Sequence, residues 1–425
     1  MQKKYLIFDL HEPNLLYMTY VPRHLAHTVH RAAATFPVVL VTGARQTGKT
    51  TLLRHEFGDT HGYTSLERPD VRLRAEADPV AFLDETPTPV ILDEVQYVPS
   101  LLPYIKERVD GDRRPGAWLM TGSQGFGLMR GVSESLAGRV AVLTLDPMAV
   151  GEGSGDPGLP PIDALLERVF GGSEGIVESR RAEADLADWL LRGGYPEPRL
   201  HRKVDRQLWL SSYTQTYLER DVRTLSQVGD LGAFQRFLSL VASRTGTLVN
   251  LAELGREVGV TAPTARRWLS VLEASQVVFL LPPFHLNFGK RIRKSPKLYL
   301  LDPGLASYLM GLHDREAVLH GPALGGLMET AVVVEWIKAF RGRGERPELW
   351  FWRSSAGHEV DLVIERGGRL YGLEVKATAT PTPGHAASLA QWLELSGGRG
   401  ALACRVPAPS VLRPGIRAVP WHLAW

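Results

Sequence analysis

The fold is decided by one octapeptide, Gly43-Ala44-Arg45-Gln46-Thr47-Gly48-Lys49-Thr50. It matches the phosphate-binding pattern G-x-x-x-x-G-K-[ST]. The apolar, β-branched stretch 36–42 before it predicts a buried parallel strand, and residues 51–57 after it predict a helix. A strand, a glycine-bounded turn and a helix N-terminus direct several backbone N–H groups at one point. The sequence therefore predicts an α/β domain with a parallel sheet and a phosphate-binding loop, the P-loop.

The P-loop supplies the predicted nucleotide-binding residues, and the predicted cofactors are ATP and Mg²⁺. We expect Lys49 to reach the β- and γ-phosphates and the Thr50 hydroxyl to ligate Mg²⁺. The predicted nucleotide contacts are Gly43, Gly48, Lys49, Thr50 and Thr51.

A second apolar run, residues 89–96, predicts a strand that ends in Asp93-Glu94. An acidic pair at a strand end is the expected partner of a P-loop. We expect Asp93 to hold the magnesium shell and Glu94 to orient and deprotonate the attacking water.

The next predicted strand, residues 117–124, again ends in small polar side chains. Ser123 is the candidate for contact with the γ-phosphate or the water, with Gln124 second and a simple turn as the alternative. Arg139 begins the following strand. An arginine there either reaches the phosphate of a neighbouring subunit or forms a structural ion pair.

At these residues the chain resembles the AAA+ superfamily. It resembles more closely the bacterial and archaeal ATPases that join an AAA-type N-terminal domain to a DUF4143 C-terminal domain. The resemblance implies ATP hydrolysis, an AAA+ core over residues 1–150, a helical lid over 151–228 and a homo-oligomeric ring, with a hexamer as the suggested size. It rests on residues 43–50, 91–96, 121–123, 135–139, 193–197 and 217–222.

Residues 229–315 resemble a winged-helix domain. A short helix (250–259), a turn and a second helix (264–273) give a helix-turn-helix layout, and strand-like runs follow at 277–281 and 297–301. Positive charges lie on the second helix and between the two runs, where they suit DNA phosphates. The alternative is a protein-contact module with a solvated charged face. The charges are Arg266, Arg267, Lys290, Arg291, Arg293, Lys294 and Lys297.

Residues 316–425 resemble the PD-(D/E)xK nuclease core, an α/β fold. Glu374 and Lys376 are two apart on a predicted strand, so both project to one face. Asp361 lies near the start of the paired strand, and Glu329 lies in the first turn of a predicted helix. Asp361 and Glu374 are the candidate Mg²⁺ ligands, with Glu329 and Lys376 beside them. Val360 replaces the usual proline, and both a cleaving domain and a docking domain remain open.

Composition sets the broad class. The chain has 425 residues, 44% of them apolar and 22% charged, which is typical of an ordinary globular protein of about three domains. The net charge is +3, so any nucleic-acid signal must be local. Cys404 is the single cysteine, which excludes a disulfide within the chain and suits a reducing compartment. No stretch of 18 apolar residues exists that could span a membrane, and the N-terminal apolar run is too short for a secretory signal. We therefore expect a cytoplasmic protein with no membrane contact.

Three functional hypotheses follow. The first is an ATPase that binds DNA, such as branched DNA in repair or recombination, and remodels or translocates it. The second is a metal-dependent DNA nuclease regulated by nucleotide. The third is a signalling or toxin–antitoxin-type ATPase with a protein partner.

Overall fold

A parallel sheet organises the N-terminal part of the computed structural model, which describes residues 20–123, 126–155, 158–171, 185–218, 230–285 and 295–423. Its strands are β1 (Val38–Thr42), β2 (Gly62–Ser65), β3 (Val90–Asp93), β4 (Trp118–Thr121) and β5 (Val140–Thr144). They lie in the order β2-β3-β4-β1-β5, and every pair is parallel. The chain therefore contains the predicted P-loop ATPase fold.

Helices cover both faces of this sheet, as an all-parallel sheet requires. Side chains alternate along β1, so Val38 and Leu40 join one hydrophobic cluster while Val39 and Val41 join another. The helices are α1 (Leu25–Ala33), α2 (Lys49–Phe57), α3 (Pro69–Ala77), α4 (Pro79–Asp84), α5 (Leu102–Gly111) and α6 (Phe126–Ser135), with 3₁₀ turns at Val95–Tyr97 and Pro99–Leu101.

The described part of the segment after the sheet, residues 158–171 and 185–218, is mainly helical, and the rest of the predicted helical range 162–225 lies outside the described residues. Its helices are α7 (Val150–Gly153), α8 (Ile162–Phe170), α9 (Leu186–Arg192), α10 (Pro196–Leu200) and α11 (Arg206–Tyr213), followed by a π-helix at Thr214–Leu218. Gly193 has a positive φ of 64°, and a Cβ there would lie 2.1 Å from Asp302 Oδ1. That carboxylate accepts the Gly194 N–H through Oδ2 at 2.6 Å, so the loop between α9 and α10 is fixed to a later part of the chain.

The next segment contains the predicted helix, turn and helix. Its elements are α12 (Leu231–Ser243), β6 (Thr247–Leu248), α13 (Leu251–Val258), α14 (Ala262–Ala274), β7 (Val278–Leu281) and β8 (Lys297–Leu300). The three strands are antiparallel in the order β6-β8-β7. Gly259, at φ 85°, ends α13, and the Thr261 side chain caps α14 by accepting the Thr264 N–H. The winged-helix assignment stays a prediction, and residues 287–294 of its predicted wing (287–296) lie outside the described residues.

A mixed sheet and four helices form the C-terminal part. The helices are α15 (Pro303–Leu309), α16 (Arg315–His320), α17 (Leu324–Arg341) and α18 (Ala387–Ser396), and the strands are β9 (Leu349–Arg353), β10 (Glu359–Arg366), β11 (Arg369–Val375), β12 (Arg399–Cys404), β13 (Ser410–Arg413) and β14 (Ile416–Pro420). The order is β13-β14-β12-β11-β10-β9, with β11, β12 and β14 parallel and the other pairs antiparallel. Short 3₁₀ turns lie at Pro383–Ala386 and Trp421–Leu423.

Helix α17 lies in a hydrophobic core that extends from helices α7–α9 to the C-terminal sheet. Residues as far apart in sequence as Val150, Trp268 and Trp421 belong to the same cluster. The helix begins at Leu324, three residues before the predicted start, so Glu329 lies in its second turn and not in its first. Gly326 lets the first turn of the helix pack closely on the preceding segment, because a Cβ there would lie only 3.0 Å from the Thr245 carbonyl oxygen. No helix among the described residues is long and apolar enough to cross a bilayer.

Candidate functional site

The P-loop joins the carboxyl end of β1 to the first residue of α2. Gly43 has φ 142°, and a Cβ there would lie 2.2 Å from the Leu145 carbonyl oxygen. Gly48 immediately precedes α2 with φ 93°, a conformation that favours glycine. The backbone therefore requires glycine at both ends of this part of the motif.

The side chain of Lys49 folds back onto the P-loop. Its side-chain nitrogen donates to the carbonyl oxygens of Gly43 at 3.2 Å and Ala44 at 2.9 Å, and the residue is 5% exposed. Thr51, also predicted to contact nucleotide, is exposed on α2. The ammonium group thus lies against the backbone of the loop, and its contact with phosphates stays a prediction.

Thr50 and Asp93, the predicted magnesium ligands, are in direct contact. The Thr50 hydroxyl donates to Asp93 Oδ1 at 2.7 Å, although the two residues lie on different elements. A hydroxyl oxygen beside a carboxylate is the oxygen donor set that suits Mg²⁺, so these residues fit the predicted ion.

Two residues that the sequence did not single out hold Asp93 in place. Thr121 donates its hydroxyl to Asp93 Oδ1 at 2.5 Å, and Tyr63 donates to Oδ2 at 3.0 Å. Burial, followed by the neighbouring Asp93 charge, raises the pKa of Tyr63, so this phenol stays a donor. Their one signal in the sequence is position on the strands that flank β3: Thr121 is the last residue of β4, and Tyr63 is the second residue of β2.

Glu94 and Ser123 lie close together at the same edge of the sheet. Glu94 adopts a left-handed backbone (φ 60°), and its N–H donates to the Thr121 hydroxyl at 3.0 Å. Gln96 connects the two predicted residues, because its amide group donates to Glu94 Oε2 and its Oε1 accepts the Ser123 N–H at 3.2 Å. Sequence analysis assigned no role to Gln96. Gln124 lies outside the described residues.

Arg139 is far from this edge in its own chain. It precedes β5 at the amino end of the sheet, and its carbonyl oxygen accepts the Val38 N–H at 3.3 Å. Its Nε donates to Asp110 Oδ1 at 2.5 Å, and this bond lowers the pKa of Asp110. The ion-pair alternative thus describes its contacts within the chain, and a role towards a neighbouring subunit stays a prediction.

Arg23 is a further residue that sequence analysis missed. Its guanidinium donates to the carbonyl oxygens of Thr47 and Asp146, both at 2.7 Å, and lies 3.2 Å from Glu152 Oε1. Burial opposes ionisation of Glu152, but the charges of Arg23 and His24 outweigh it and lower its pKa. Arg23 therefore connects the P-loop to the segment that follows β5.

A second polar site joins the three-stranded sheet to the C-terminal sheet. We name it the acid–lysine cluster: Lys297, Glu329, Glu359, Asp361, Glu374 and Lys376. The structure brings the predicted nuclease residues together there. Asp361 accepts the Val375 N–H through Oδ2 at 2.9 Å, and the Lys376 ammonium lies 2.5 Å from Glu374 Oε1.

Lys297 is buried in this cluster, which corrects the expectation that it belongs to a solvated basic wing. Its ammonium lies 2.9 Å from Glu329 Oε1, 2.5 Å from Glu359 Oε1 and 3.1 Å from Asp361 Oδ1. The residue is 2% exposed. The sequence placed it beside Lys294, but β8 turns its side chain towards the acids of α17 and β10.

The cluster shifts the protonation of its carboxyl groups. Burial, and then the Asp361 charge, raises the pKa of Glu329 to about 7 and that of Glu374 to about 8. Burial opposes the charge on Lys297, but Tyr299 and the surrounding acids outweigh it and raise its pKa.

The predicted DNA-binding residues are only partly described. Arg266 and Arg267 are exposed on α14, the second helix of the helix-turn-helix layout. The remaining four, Lys290, Arg291, Arg293 and Lys294, lie outside the described residues.

Comparison with protein families finds matches over most of the chain. A family model described as an AAA domain matches residues 35–153, and domains of unknown function match residues 183–316 (DUF8612) and 324–423 (DUF4143). Uncharacterized protein Rv2008c of Mycobacterium tuberculosis is 35% identical over 361 residues, which cover 85% of this chain and 75% of that protein. Uncharacterized protein Mb2031c of Mycobacterium bovis matches with the same values.

Solved structures give weaker matches. The Walker-type ATPase PABY2304 of Pyrococcus abyssi is 13% identical, with a TM-score of 0.40, over 68% of this chain and 98% of that one. The RuvB Holliday junction branch migration motor of Thermotoga maritima is 18% identical, with a TM-score of 0.28, over 61% of this chain and 86% of that one. Superpositions this poor carry no argument about the substrate.

Proposed function

Because the chain belongs to the family that joins an N-terminal AAA domain to a C-terminal DUF4143 domain, we propose that it hydrolyses ATP and uses the energy to remodel or translocate DNA. The observation that carries the ATPase proposal is the contact of Thr50 with Asp93, beside Glu94 and Ser123, at the edge of the sheet that bears the P-loop.

Each residue has a role in this proposal. Lys49 neutralises charge on the β- and γ-phosphates, and Thr50 and Asp93 would hold Mg²⁺, which supplies further neutralisation when bound. Glu94 orients the attacking water and accepts its proton as the bond to the γ-phosphorus forms, leaving ADP and phosphate. Ser123 contacts the γ-phosphate or the water.

DNA is proposed as the working substrate because Arg266 and Arg267 are exposed on the second helix of a helix-turn-helix layout. The wing charges Lys290, Arg291, Arg293 and Lys294 add phosphate contacts in this proposal. A homo-oligomeric ring, in which Arg139 reaches the nucleotide of a neighbour, completes it.

The test is ATP turnover by the full chain, alone and with linear duplex, single-stranded or four-way-junction DNA. Lys49→Ala and Glu94→Gln are expected to lose at least about 100-fold in turnover, because each removes a group that acts on the transition state. The matched controls Lys106→Ala and Glu107→Gln, on α5, should turn over as the wild type does. Normal turnover in either site variant would overturn the ATPase assignment.

The same assay tests separately whether DNA is the substrate. Stimulation by duplex or junction DNA supports the proposed substrate, whereas turnover that ignores every DNA favours a protein partner. The double variant Arg266→Gln/Arg267→Gln should bind DNA more weakly than the wild type. The slope of log DNA affinity against log salt concentration should become less steep by about two, one for each lost phosphate contact. Arg256→Gln, exposed on α13, is the matched single-charge control and should leave both unchanged.

A further inference from the structure

We propose that the Lys297 ammonium is the resident cation of the acid–lysine cluster and stands where a nuclease-like site would hold a divalent metal. The cluster lies at a junction of two sheets, since Lys297 comes from β8 and its partners come from α17 and β10. The inference rests on neither ATP nor DNA.

The geometry gives the ammonium a complete set of partners. An ammonium has three N–H donors, and three carboxylates lie within 2.5–3.1 Å of this nitrogen: Glu329, Glu359 and Asp361. The Tyr299 hydroxyl donates to the same Glu329 oxygen at 2.6 Å. Buried charges persist only where they are paired and hydrogen-bonded, and here the pairing is built from the chain itself.

The carboxylate oxygens that a metal would need are already engaged. Asp361 Oδ1 faces Lys297 and its Oδ2 accepts the Val375 N–H, while Glu374 Oε1 is bound to Lys376. Glu374 Oε2 is buried and has no hydrogen-bond partner among the described residues, but one oxygen does not make a Mg²⁺ site. No group of three or more His, Cys, Asp or Glu is placed to hold a metal ion in the described part of the chain.

Mg²⁺ demands oxygens at about 2.0–2.1 Å, so an ion bound to Asp361 Oδ1 would lie against the ammonium and repel it. The residues present therefore do not fit a metal while Lys297 is in place. Removing the ammonium leaves three carboxylates in a poorly solvated site, which then needs another cation. A cleft of about 350 Å³, lined by Lys297, Arg353 and Glu359, gives an ion a route from solvent.

The test is the stoichiometry of Mn²⁺ binding to the full chain without nucleotide, by isothermal titration calorimetry and by electron paramagnetic resonance of free Mn²⁺. Wild type and Asp361→Asn should bind the same number of ions. Lys297→Met, which keeps the unbranched apolar stem of the side chain without its charge, should bind one more per chain. That extra ion should disappear in Lys297→Met/Asp361→Asn.

Lys376→Met is the matched control, because the ion pair that Lys376 forms among the described residues is with Glu374, and it should gain no ion. The proposal is overturned if wild type binds one ion more than Asp361→Asn, a comparison that does not depend on the folding of any Lys297 variant. It is also overturned if folded Lys297→Met, verified by circular dichroism, gains no ion.

Discussion

At the scale of single residues, Asp93 organises the candidate nucleotide site. Three hydroxyl groups donate to its carboxylate, from Thr50, Thr121 and Tyr63. Thr121 acts twice, because its oxygen also accepts the Glu94 N–H. This one hydroxyl therefore fixes the predicted metal ligand and the backbone of the predicted base together.

Replacing Thr121 by valine should disturb both of these groups. Valine has nearly the same shape but no hydroxyl, so Asp93 loses a donor and the Glu94 N–H loses its acceptor. We expect the free energy of unfolding to fall by about 1–3 kcal/mol and ATP turnover to fall with it. Urea denaturation and turnover measured on the same preparation check this. Thr121→Ser keeps the hydroxyl and should stay near wild type, whereas unchanged turnover in Thr121→Val would contradict the role.

At the scale of elements, α17 connects the acid–lysine cluster to the segment that follows β5. Glu329 near its start belongs to the acid–lysine cluster, and Glu335, Lys338 and Arg341 near its end contact the nucleotide-binding part. The Lys338 ammonium lies 3.0 Å from Glu335 Oε1 and donates to the Met148 carbonyl oxygen at 2.9 Å. Glu335 Oε2 accepts the Val150 N–H at 3.0 Å. A buried ion pair thus fixes this helix to the end of the AAA region.

Breaking this ion pair should be costly. Lys338→Met leaves the buried Glu335 carboxylate without its cation, and we expect the free energy of unfolding to fall by about 3–5 kcal/mol. The double variant Glu335→Gln/Lys338→Met removes the unpaired charge and should recover part of the loss. Urea denaturation of the single and double variants measures both effects. Lys106→Met, which removes a partly exposed ammonium on α5, is the control and should change stability by less than about 1 kcal/mol; an equally small change in Lys338→Met would refute the argument.

At the scale of the whole molecule, the acid–lysine cluster makes stability depend on pH. Burial raises the pKa of Glu329 to about 7 and that of Glu374 to about 8, above the ordinary value of 4.5. Between about pH 4.5 and pH 8, these two carboxyl groups hold more protons in the folded chain than in the unfolded chain. The contribution of the two groups is therefore fully present below pH 4.5 and is lost as pH rises towards 8.

The corresponding experiment compares denaturation at pH 5, 6, 7 and 8. Glu374→Gln cannot titrate, so its loss of stability over this range should be smaller than that of the wild type. Glu394→Gln changes an exposed glutamate on α18 and should follow the wild type. A Glu374→Gln curve parallel to the wild type would show that this carboxyl keeps an ordinary pKa in the folded protein.

Local pattern was sufficient to predict the nucleotide-binding part of the fold. An apolar run, a glycine-bounded loop and a helix, followed by a strand ending in Asp93-Glu94, predicted a parallel sheet with a P-loop, and the structure confirms that fold. These features are determined over a few neighbouring residues, by burial of β-branched side chains and by the backbone needs of Gly43 and Gly48. The roles of the individual residues, the winged helix and the nuclease-like chemistry remain predictions.

Only the tertiary structure decided which distant side chains meet. Tyr63 and Thr121 contact Asp93 because β2 and β4 flank β3 in the sheet. The sequence of an individual strand does not determine this order. Lys297 follows a basic run in sequence, yet its ammonium is surrounded by acids from α17 and β10. A sequence gives the charge of a side chain and its alternation along a strand. Which of the two faces is buried, and against which acids, follows from how β8 packs on the rest of the chain.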